Sequence, residues 1–405
     1  MNQSAPPSTL DRRAFLKCSL TLATAFGSGI AVAAESKQSG RGKISAAILG
    51  HTGRGDYGHS LDLIFNNRTN IQVSALADPV ASGRAAAALR SKALRQYEDY
   101  RVMLEKEKPR LVCVAPRWTD QHHAMASAAL GIGAHVFMEK PITQTLAQAD
   151  DLLAKADAAG LKIAIAHQMR LAPGILHLKS KIDEGLLGEL LQIRAFGKQD
   201  ARAGGEDMLV LGSHLFDLIR FFAGDAQWCT AQVRQGGHDI SRRDAHEAKE
   251  SIGLIAGDEI EAQFGFGNGV TATFTSRAKL RQNVSHWGLE LIGSKTNARI
   301  FADIFPQVFL LHAGTWEETG RNDRWQRLEG DPTIGADDRE RGTELANKRV
   351  VDDWLEAIEK KRQPVCSGFA GMKALEMIMA VYHAALSARR VPLPLADRAH
   401  PLSER

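Results

Sequence analysis

Short apolar runs alternate with segments of helical periodicity through the first half of the chain after residue 43. The apolar runs are rich in β-branched and small residues and end at glycine, proline or polar positions, which is typical of buried strands. They cover 44–50, 71–78, 110–114, 134–138 and 162–166, and helices are predicted at 59–66, 85–94, 121–131 and 147–159, with another that ends near 108. This alternation predicts a doubly wound parallel sheet.

The second half has a different spacing. After a predicted helix at 173–185, strand-like runs follow one another closely, separated by turns such as the glycine-rich 265–269. The runs cover 188–196, 226–233, 259–266, 270–276, 287–292 and 298–301. Such spacing predicts hairpins and an antiparallel sheet. Residues 301–335 are less regular and suggest an arm or surface loops, whereas 343–359 and 370–388 predict two final helices before 391–395 closes the chain.

The first 33 residues have the features of an export signal. Arg12-Arg13 precedes a moderately apolar stretch, 18–33, which ends in the small residues Ala31-Val32-Ala33. This order is typical of a twin-arginine signal peptide. A membrane anchor is the alternative, but the stretch is short and contains Ser, Thr and Gly. We therefore expect a signal at 1–33, a polar linker at 34–43, passage through the twin-arginine translocase, and a periplasmic or extracellular protein.

The composition is that of an ordinary soluble globular protein with more than one domain. The chain has 405 residues, of which 44% are hydrophobic and 24% charged, and its length exceeds that of most single domains. The net charge is only +4, and no basic block is present, so nucleic acid is not an expected partner. The four cysteines are widely spaced without a Cys-x-x-Cys pair, so no metal site is predicted.

A glycine-rich turn follows the first predicted strand and resembles a nucleotide-binding fingerprint. Gly50, Gly53 and Gly55 would let main-chain N–H groups approach a pyrophosphate, although Thr52 stands where the second glycine of G-x-G-x-x-G belongs. The second strand ends in Asp78, a carboxylate placed to accept hydrogen bonds from an adenosine ribose and to repel a 2′-phosphate. This favours NAD over NADP, although the nearby Arg84 weakens the distinction. A helix cap is the alternative role for the aspartate.

The triplet Glu139-Lys140-Pro141 follows the apolar run 134–138 directly. Proline restricts the backbone there, so the lysine is expected at the carboxyl end of a strand, where open parallel sheets bind ligands. Lysine at such a position can donate a proton to a substrate hydroxyl, or act as a base if its pKa is lowered. An exposed lysine that merely flanks the strand is the alternative.

Together, the glycine turn, Asp78, Pro116, His122 before an alanine-rich helix, Gly133-Ala134-His135-Val136 and Glu139-Lys140-Pro141 resemble the Gfo/Idh/MocA oxidoreductases. The resemblance implies an N-terminal Rossmann domain at 44–167 and a C-terminal α/β domain with a large, mostly antiparallel sheet at 168–342. It implies that helices in 343–405 pack back on the Rossmann domain and that the sheet forms a homo-oligomer interface. It also implies that Pro116, His122 and Glu139 join Lys140 in the cofactor site.

The family's second signature, Asp-x-Gly-x-His followed by Asp, is matched only in part. Gly212, His214 and Asp217 are present, but Val210 replaces the first aspartate. The resemblance implies that Lys140 and His214 are catalytic, and an imidazole with a pKa near neutrality suits removal of an alcohol proton. Asp207, three residues earlier, is a candidate to replace the missing acid if the segment is helical.

The resemblance implies an NAD(P)-dependent oxidoreductase that moves hydride between a secondary alcohol of a sugar, cyclitol or derivative and the nicotinamide. Two alternatives stay open: an NAD-retaining enzyme that cleaves glycosides, and a non-catalytic nucleotide- or sugar-binding protein, which Val210 supports. Further candidates to line the pocket are Arg170, Asp217, Lys179, Lys198-Gln199-Asp200 and Trp118. Each of them has a structural or solvent-exposed role as its alternative.

Overall fold

A six-stranded parallel sheet organises the first half of the chain in the computed structural model, which describes residues 42–278, 286–312, 324–330 and 342–403. Its strands are β1 (Ile44–Leu49), β2 (Ile71–Ala77), β3 (Arg95–Tyr97), β4 (Leu111–Val114), β5 (His135–Met138) and β6 (Ile163–Ile165). The helices between them are α1 (Ala81–Ser91), α2 (Tyr100–Glu107), α3 (His122–Gly131) and α4 (Leu146–Ala158). The strand order β3-β2-β1-β4-β5-β6 confirms the predicted doubly wound fold.

The winding of this sheet reverses between β1 and β4, which pair in parallel. All four residues of β4 are buried, because helices cover both faces of the sheet, and this explains the continuous apolar runs in the sequence. Ligands of such sheets bind beyond the carboxyl ends of the strands at the point of reversal. The loops that follow Leu49, Val114 and Met138 are therefore the ones that can form a site.

The segment after β1 is not the regular helix predicted at 59–66. A 3-10 helix covers Gly58–Leu63 instead, and within it His59 and Ser60 have φ of 50° and 60°. Asn347 donates a 2.8 Å hydrogen bond to the His59 carbonyl, and the His59 ring pairs with Glu139. Tertiary contacts thus hold a left-handed backbone that non-glycine residues rarely adopt.

The second half is built on a ten-stranded mixed sheet, reached through α5 (Pro173–Asp183). Its strands are β7 (Leu190–Phe196), β8 (Ala226–Gln235), β9 (His238–Asp239), β12 (Glu259–Phe266), β13 (Thr271–Arg277), β14 (Gly288–Gly293), β15 (Asn297–Phe301), β16 (Gln307–Leu311), β17 (Gln326–Arg327) and β18 (Val391–Pro392). A separate hairpin pairs β10 (His246–Glu247) with β11 (Leu254–Ile255). Among the described residues the sheet is antiparallel except where β7 pairs with β13.

Four more α-helices lie in the described part of the chain: α6 (Gly205–Val210), α7 (Gly212–Ala223), α8 (Gly342–Glu359) and α9 (Gly368–Ser387). Short 3-10 helices cover Thr119–Gln121, Gln168–Leu171 and Arg242–Asp244. Trp354 of α8 packs edge-on against Phe137 of β5, with ring centroids 5.8 Å apart, so α8 covers one face of the parallel sheet. The long apolar helix α9 contacts α4 on one side and α7 with β8 on the other. It joins the cores of the two halves.

The segment expected to be an arm or surface loops contains two strands. Residues 301–335 are not all arm or loop, because β16 and β17 extend the sheet within them. The predicted signal at 1–33 and most of the linker lie outside the described residues. Within the described ranges, none of the helices combines the length and apolar character that a membrane crossing requires.

Candidate active site

Lys140 follows β5 at the carboxyl edge of the parallel sheet and is buried, with 6% of its surface exposed. The alternative of an exposed flanking lysine is therefore wrong. Its Nζ donates a 2.8 Å hydrogen bond to the main-chain carbonyl of Val210. Burial lowers the pKa of Lys140 to about 8; Glu139 opposes this shift, whereas the positive charges of Arg117 and Arg202 add to it. An amine with that pKa can hold or release a proton near neutral pH.

The backbone around Lys140 is fixed by Glu139, which is fully buried. One carboxylate oxygen pairs with the His59 ring, and the other accepts a 2.8 Å hydrogen bond from the Lys140 main-chain N–H. Burial alone would raise the pKa of Glu139, but His59 and Lys140 outweigh it and lower that pKa to about 2. Glu139 is therefore an anion that anchors the lysine, and the cofactor contact predicted for it stays a prediction.

His122 joins the two loops that follow β4 and β5. Its Nδ1 lies 2.9 Å from the carbonyl oxygen of Pro141, and its Nε2 lies 2.7 Å from that of Pro116. The ring is fully buried, so it holds both loops from inside the fold. Direct contact between His122 and a cofactor, as the sequence suggested, would require this arrangement to open.

Val210 marks the end of α6, and this position explains how the chain holds Lys140 without the family's first aspartate. The last carbonyls of a helix have no intrahelical partner and attract cations. The Val210 carbonyl accepts from Lys140 and, at 3.1 Å, from the Ser213 hydroxyl. The lysine is thus held by a main-chain oxygen that does not depend on the side chain at position 210.

Asp207 does not replace the missing acid. Its carboxylate accepts a 2.6 Å hydrogen bond from the Ser276 hydroxyl and two more from the main-chain N–H groups of Lys198 and Gln199, at 3.2 and 3.1 Å. Burial raises the pKa of Asp207, and these hydrogen bonds oppose the shift. The side chain therefore ties α6 to the loop after β7, a role that three-residue spacing on a helix could not distinguish from catalysis.

Asp217 and Arg170 form a buried pair rather than two separate pocket residues. The guanidinium donates to both carboxylate oxygens, at 2.8 and 2.6 Å, and to the Asp217 main-chain carbonyl at 2.8 Å. Burial opposes ionisation, but Arg170 and His167 hold the pKa of Asp217 far below its usual range. Asp217 is therefore a fixed anion beneath the site.

His214 lies on the first turn of α7 and is 9% exposed. Burial lowers its pKa well below the usual value, the neighbouring Lys140 and the rings of His167 and His59 act in the same direction, and Asp217 opposes them. The imidazole is thus neutral at physiological pH and can accept a proton. Its ring centroid lies 5.6 Å from that of His167 and 6.4 Å from that of Trp287. Neither of these neighbours was predicted from the sequence.

Asp78 ends β2, as predicted, but its carboxylate faces the glycine turn. One oxygen accepts from the Thr52 main-chain N–H at 3.0 Å, the Thr52 hydroxyl at 2.7 Å and the Tyr57 hydroxyl at 2.8 Å. The other accepts from the Val80 N–H at 2.9 Å, and Arg84 donates to the Asp78 carbonyl at 2.5 Å. Asp78 thus organises the turn, and its contact with a ribose stays a prediction.

The glycines of the turn differ in what surrounds them. Gly53 and Gly55 have φ of 75° and 88°, which favours glycine at both positions. Open space surrounds Gly53, whereas a side chain on Gly55 would collide with the main-chain nitrogens of Arg117 and Trp118, and one on Gly58 would lie 2.9 Å from Glu139. Gly53, Gly55 and Gly58 have the G-x-G-x-x-G spacing, three residues later than the sequence interpretation placed it.

A cleft of about 260 Å³ opens beside this turn at the carboxyl ends of β1, β2 and β3. It is lined by Gly50, His51, Ala77, Pro79, Glu98, Asp99, Tyr100, Arg101, Gln121 and Met125. His51 bonds to Gln121 across it at 2.7 Å. The residues at 98–101 were not predicted, although their position directly after a strand could have indicated them.

The remaining predicted pocket residues lie in three places. Lys179 pairs with Asp183 on α5, a surface (i, i+4) ion pair, so it is not part of the site. Trp118 lies half-buried, with the Arg54 guanidinium 5.9 Å above its ring. Lys198 and Asp200, with side chains about one-third exposed, lie 3.5 Å apart in the loop after β7.

A chain of ion pairs links the two halves. Arg117, after β4, pairs with Glu250 of the second half, and Glu250 lies 3.3 Å from Arg202, which in turn pairs with Asp200 at 2.7 Å. Thr119 adds a 2.9 Å hydrogen bond to the Ile252 carbonyl. Both arginines influence the pKa of Lys140, so this bridge borders the site.

Two family descriptions match this chain. "Oxidoreductase family, NAD-binding Rossmann fold" matches residues 44–167, and "Oxidoreductase family, C-terminal alpha/beta domain" matches residues 179–393. The chain belongs to the Gfo/Idh/MocA family. It is accordingly an oxidoreductase, and its parallel sheet with the open cleft and positive-φ glycines fits the nicotinamide dinucleotide that the family description names. Proteins similar in sequence to this Gfo/Idh/MocA protein include dehydrogenases named for a sugar and a cyclitol.

One relative, an uncharacterized oxidoreductase of Escherichia coli, is 34% identical over 115 residues, which are 26% of this chain and a third (33%) of that protein. D-apiose dehydrogenase of Paraburkholderia graminis is 23% identical over 74% of this chain and 77% of its own. Inositol 2-dehydrogenase of Salmonella paratyphi B is 30% identical over 32% of this chain and 38% of its own.

Solved structures share the fold of this Gfo/Idh/MocA protein. Levoglucosan dehydrogenase in complex with NADH and levoglucosan has a TM-score of 0.69 at 17% identity, covering 87% of this chain and 100% of that one. An Agrobacterium radiobacter oxidoreductase in complex with NAD+, L-tartaric acid and magnesium has a TM-score of 0.67 at 16% identity, covering 86% and 98%.

Proposed function

We propose that this protein is an NAD-dependent dehydrogenase that moves hydride between a secondary alcohol of a sugar, cyclitol or derivative and the nicotinamide. The observation that carries the proposal is the burial of Lys140, at the carboxyl edge of the parallel sheet, beside a buried His214 whose pKa Lys140 lowers. Buried ionisable groups with shifted pKa values cluster at functional sites. The names of the D-apiose, inositol and levoglucosan dehydrogenases support an alcohol carbon as the reacting group.

The two side chains take complementary roles in this proposal. His214 is neutral at physiological pH because burial lowers its pKa, so it accepts the proton of the substrate hydroxyl. Lys140 donates a hydrogen bond to the same oxygen while its other N–H remains on the Val210 carbonyl. This stabilises the negative charge that develops on the oxygen. A bound nicotinamide supplies the hydride acceptor.

The dinucleotide would be held by the glycine turn and the cleft beside it. Gly53 offers open space for a phosphate, and Gly50, Thr52 and Gly55 belong to the same turn. The adenosine half would enter the cleft lined by Pro79 and residues 98–101. We propose NAD rather than NADP because of the Asp78 carboxylate, although that group now bonds to Thr52 and Tyr57.

Two assays test the proposal. The purified protein is denatured to see whether a nicotinamide nucleotide is released, and the native protein is then incubated with NAD+ or NADP+ and a panel of sugars, sugar acids and cyclitols. Reduction of the nicotinamide, lost in Lys140→Ala and His214→Ala but kept in Lys179→Ala, is expected. Unchanged turnover in the first two variants would refute the assignment of these residues, and no redox response to any polyol would refute the dehydrogenase.

A second candidate function is cleavage of a glycoside with the nucleotide retained throughout. A glycosyl hydrolase family 109 protein of Shewanella amazonensis is 29% identical over 206 residues, which are 45% of this chain and 44% of its own. This relative favours testing the alternative. Release of a chromogenic aglycone without net formation of reduced nicotinamide would select it over the dehydrogenase.

We also propose export by the twin-arginine translocase to the periplasm or beyond, supported by Arg12-Arg13 and the apolar stretch after them. Replacing both arginines with lysine should leave the protein in the cytoplasmic fraction.

We further propose a homo-oligomer, based on the family resemblance. Light scattering during gel filtration would test it, and a monomer mass would refute it.

A further inference from the structure

His167, at the end of the first domain, is the least explained buried group beside the site. It is 2% exposed, and neither ring nitrogen has a hydrogen-bond partner among the described residues. Its ring packs edge-on against His214, whose Nδ1 is also buried without a partner in the described part of the chain. Buried polar atoms without hydrogen bonds are costly. The unpaired nitrogens on these two adjacent rings therefore suggest that a hydrogen bond forms between His167 and His214.

The other side of His167 faces a fixed negative charge. Its Nδ1 lies 3.5 Å from an oxygen of Asp217, and Arg170 holds that carboxylate by two hydrogen bonds. A carboxylate oxygen accepts and cannot donate, so the ring nitrogen that faces it is the one that carries hydrogen. The opposite nitrogen, Nε2, then has a free lone pair. That lone pair can accept the Nδ1–H of His214.

We propose that His167 is a positioning residue that sets the tautomer and orientation of His214, in the line Asp217–His167–His214, where Val210 leaves the family's first acid absent. With hydrogen on Nδ1, His214 presents the lone pair of Nε2 to the substrate. When the substrate O–H bond breaks, the proton would form an N–H bond at that atom, and the electron pair of the O–H bond would form the second carbon–oxygen bond as hydride leaves the carbon. A bound nicotinamide would supply the acceptor of that hydride. This inference rests on the proposed function for its kinetic consequence, but not for the tautomer.

The tautomer is measured without any turnover. Imidazole nitrogens with and without hydrogen differ widely in ¹⁵N chemical shift, so protein labelled at histidine reports each ring, and His214 is identified by its loss in His214→Gln. The wild-type ring should show one tautomer, protonated at Nδ1. His167→Asn keeps a donor near Asp217 but is too short to reach His214, whereas His167→Phe keeps only the ring shape. His167→Gln has a longer side chain than His167→Asn, so its amide oxygen can accept a hydrogen bond closer to His214.

The three variants separate positioning from packing. If His167 sets the tautomer, His214 shows mixed tautomers in His167→Asn and His167→Phe and recovers in His167→Gln. If His167 only fills space, His167→Phe keeps the wild-type spectrum, and that result overturns the inference. His400→Phe, which removes another buried histidine packed on Tyr382, should leave the His214 signal unchanged.

Kinetics give an independent readout where turnover is found. His167→Asn and His167→Phe should lower kcat by at least about 10-fold with little change in KM, because general-base catalysis is worth about 100-fold or more. Val210→Asp in the His167→Phe background should recover part of this loss. Equal activity of His167→Phe and wild type refutes the inference, whereas a wild type inactive on every polyol refutes the proposed function while the ¹⁵N result stands.

Discussion

At the scale of single residues, Lys140 is buried, and its proposed role as a hydrogen-bond donor to the substrate oxygen is strongest when it is protonated. Its folded pKa of about 8 lies below the ordinary 10.5, so it is charged below pH 8 and neutral above it. We expect kcat/KM for alcohol oxidation to fall as pH rises through about 8, because neutral lysine is a weaker donor to the developing oxyanion. In Lys140→Arg, whose side chain keeps its charge in this range, residual activity should lack that decline; a decline that persists would assign it elsewhere.

The lowered pKa of Lys140 also predicts how the free energy of unfolding depends on pH. Between pH 8 and 10.5 the unfolded chain keeps the lysine proton and the folded chain does not, so this residue's contribution to the free energy of unfolding rises with pH over that window. Lys140→Met removes the buried charge and should be at least as stable as wild type at pH 7, with the difference shrinking towards pH 10.5. Urea unfolding at several pH values measures it. A gap that widens with pH would contradict the expected sign.

Asp217 should contribute more to the free energy of unfolding than a residue in a surface ion pair does. Asp217→Asn leaves Arg170 buried without a counter-charge, and breaking such a pair costs about 3–5 kcal/mol of unfolding free energy at pH 7. Asp183→Asn, which removes the exposed partner of Lys179, should cost under about 1 kcal/mol. The folded pKa of Asp217 is depressed, so the benefit is present above pH 4 and is lost towards acid. Similar losses in the two variants would refute this role.

At the scale of elements, the glycine turn offers a matched pair of variants. Gly53 and Gly55 both have positive φ, so alanine strains both backbones alike, but only at Gly55 does the new methyl meet the main chain of Arg117 and Trp118. We therefore expect Gly55→Ala to lower stability and nucleotide affinity more than Gly53→Ala does. Thermal unfolding and NAD titration calorimetry measure both effects. Equal losses would mean that backbone strain alone matters there.

The segment after the same turn shows that hydrophobic patterns predict the strands but not a backbone shaped by contacts remote in sequence. The strands of the parallel sheet could be predicted because burial on both faces produces continuous apolar runs, and β1 and β2 begin at the predicted residues. β12 also begins where predicted, but there buried and exposed residues alternate over its first half. The helix predicted at 59–66 was wrong because Asn347 and Glu139, remote in sequence, hold His59 in a left-handed conformation. β16 was missed because the segment 301–335 looked irregular as a whole, although the strand pairs with the neighbouring β15 in an antiparallel hairpin.

At the scale of the whole molecule, the sequence predicted which segments meet but not how their side chains bond. Lys140 and His214 lie 74 positions apart, and their placement at one edge followed from the family resemblance. The roles of Asp207, Asp217 and His122 did not follow, because a carboxylate or imidazole at a given spacing looks the same whether it bonds to protein or to substrate. Their hydrogen bonds to Ser276, Arg170 and Pro116 are visible only in the folded chain.

The chain of ion pairs between the two halves should hold neighbouring segments of the second half in place. Glu250 is shared by Arg117 of the first half and Arg202 of the second, so Glu250→Gln should loosen the segment 246–253, which contains β10 and the turn after it. The Arg117 side chain is 42% exposed, so the global free energy of unfolding should change by less than about 1 kcal/mol. Amide hydrogen exchange should instead quicken locally in 246–253 and 198–204. Glu247→Gln, an exposed change in strand β10 of the same segment, is the matched control, and equal exchange in the two variants would mean that the ion pairs do not hold these segments in place.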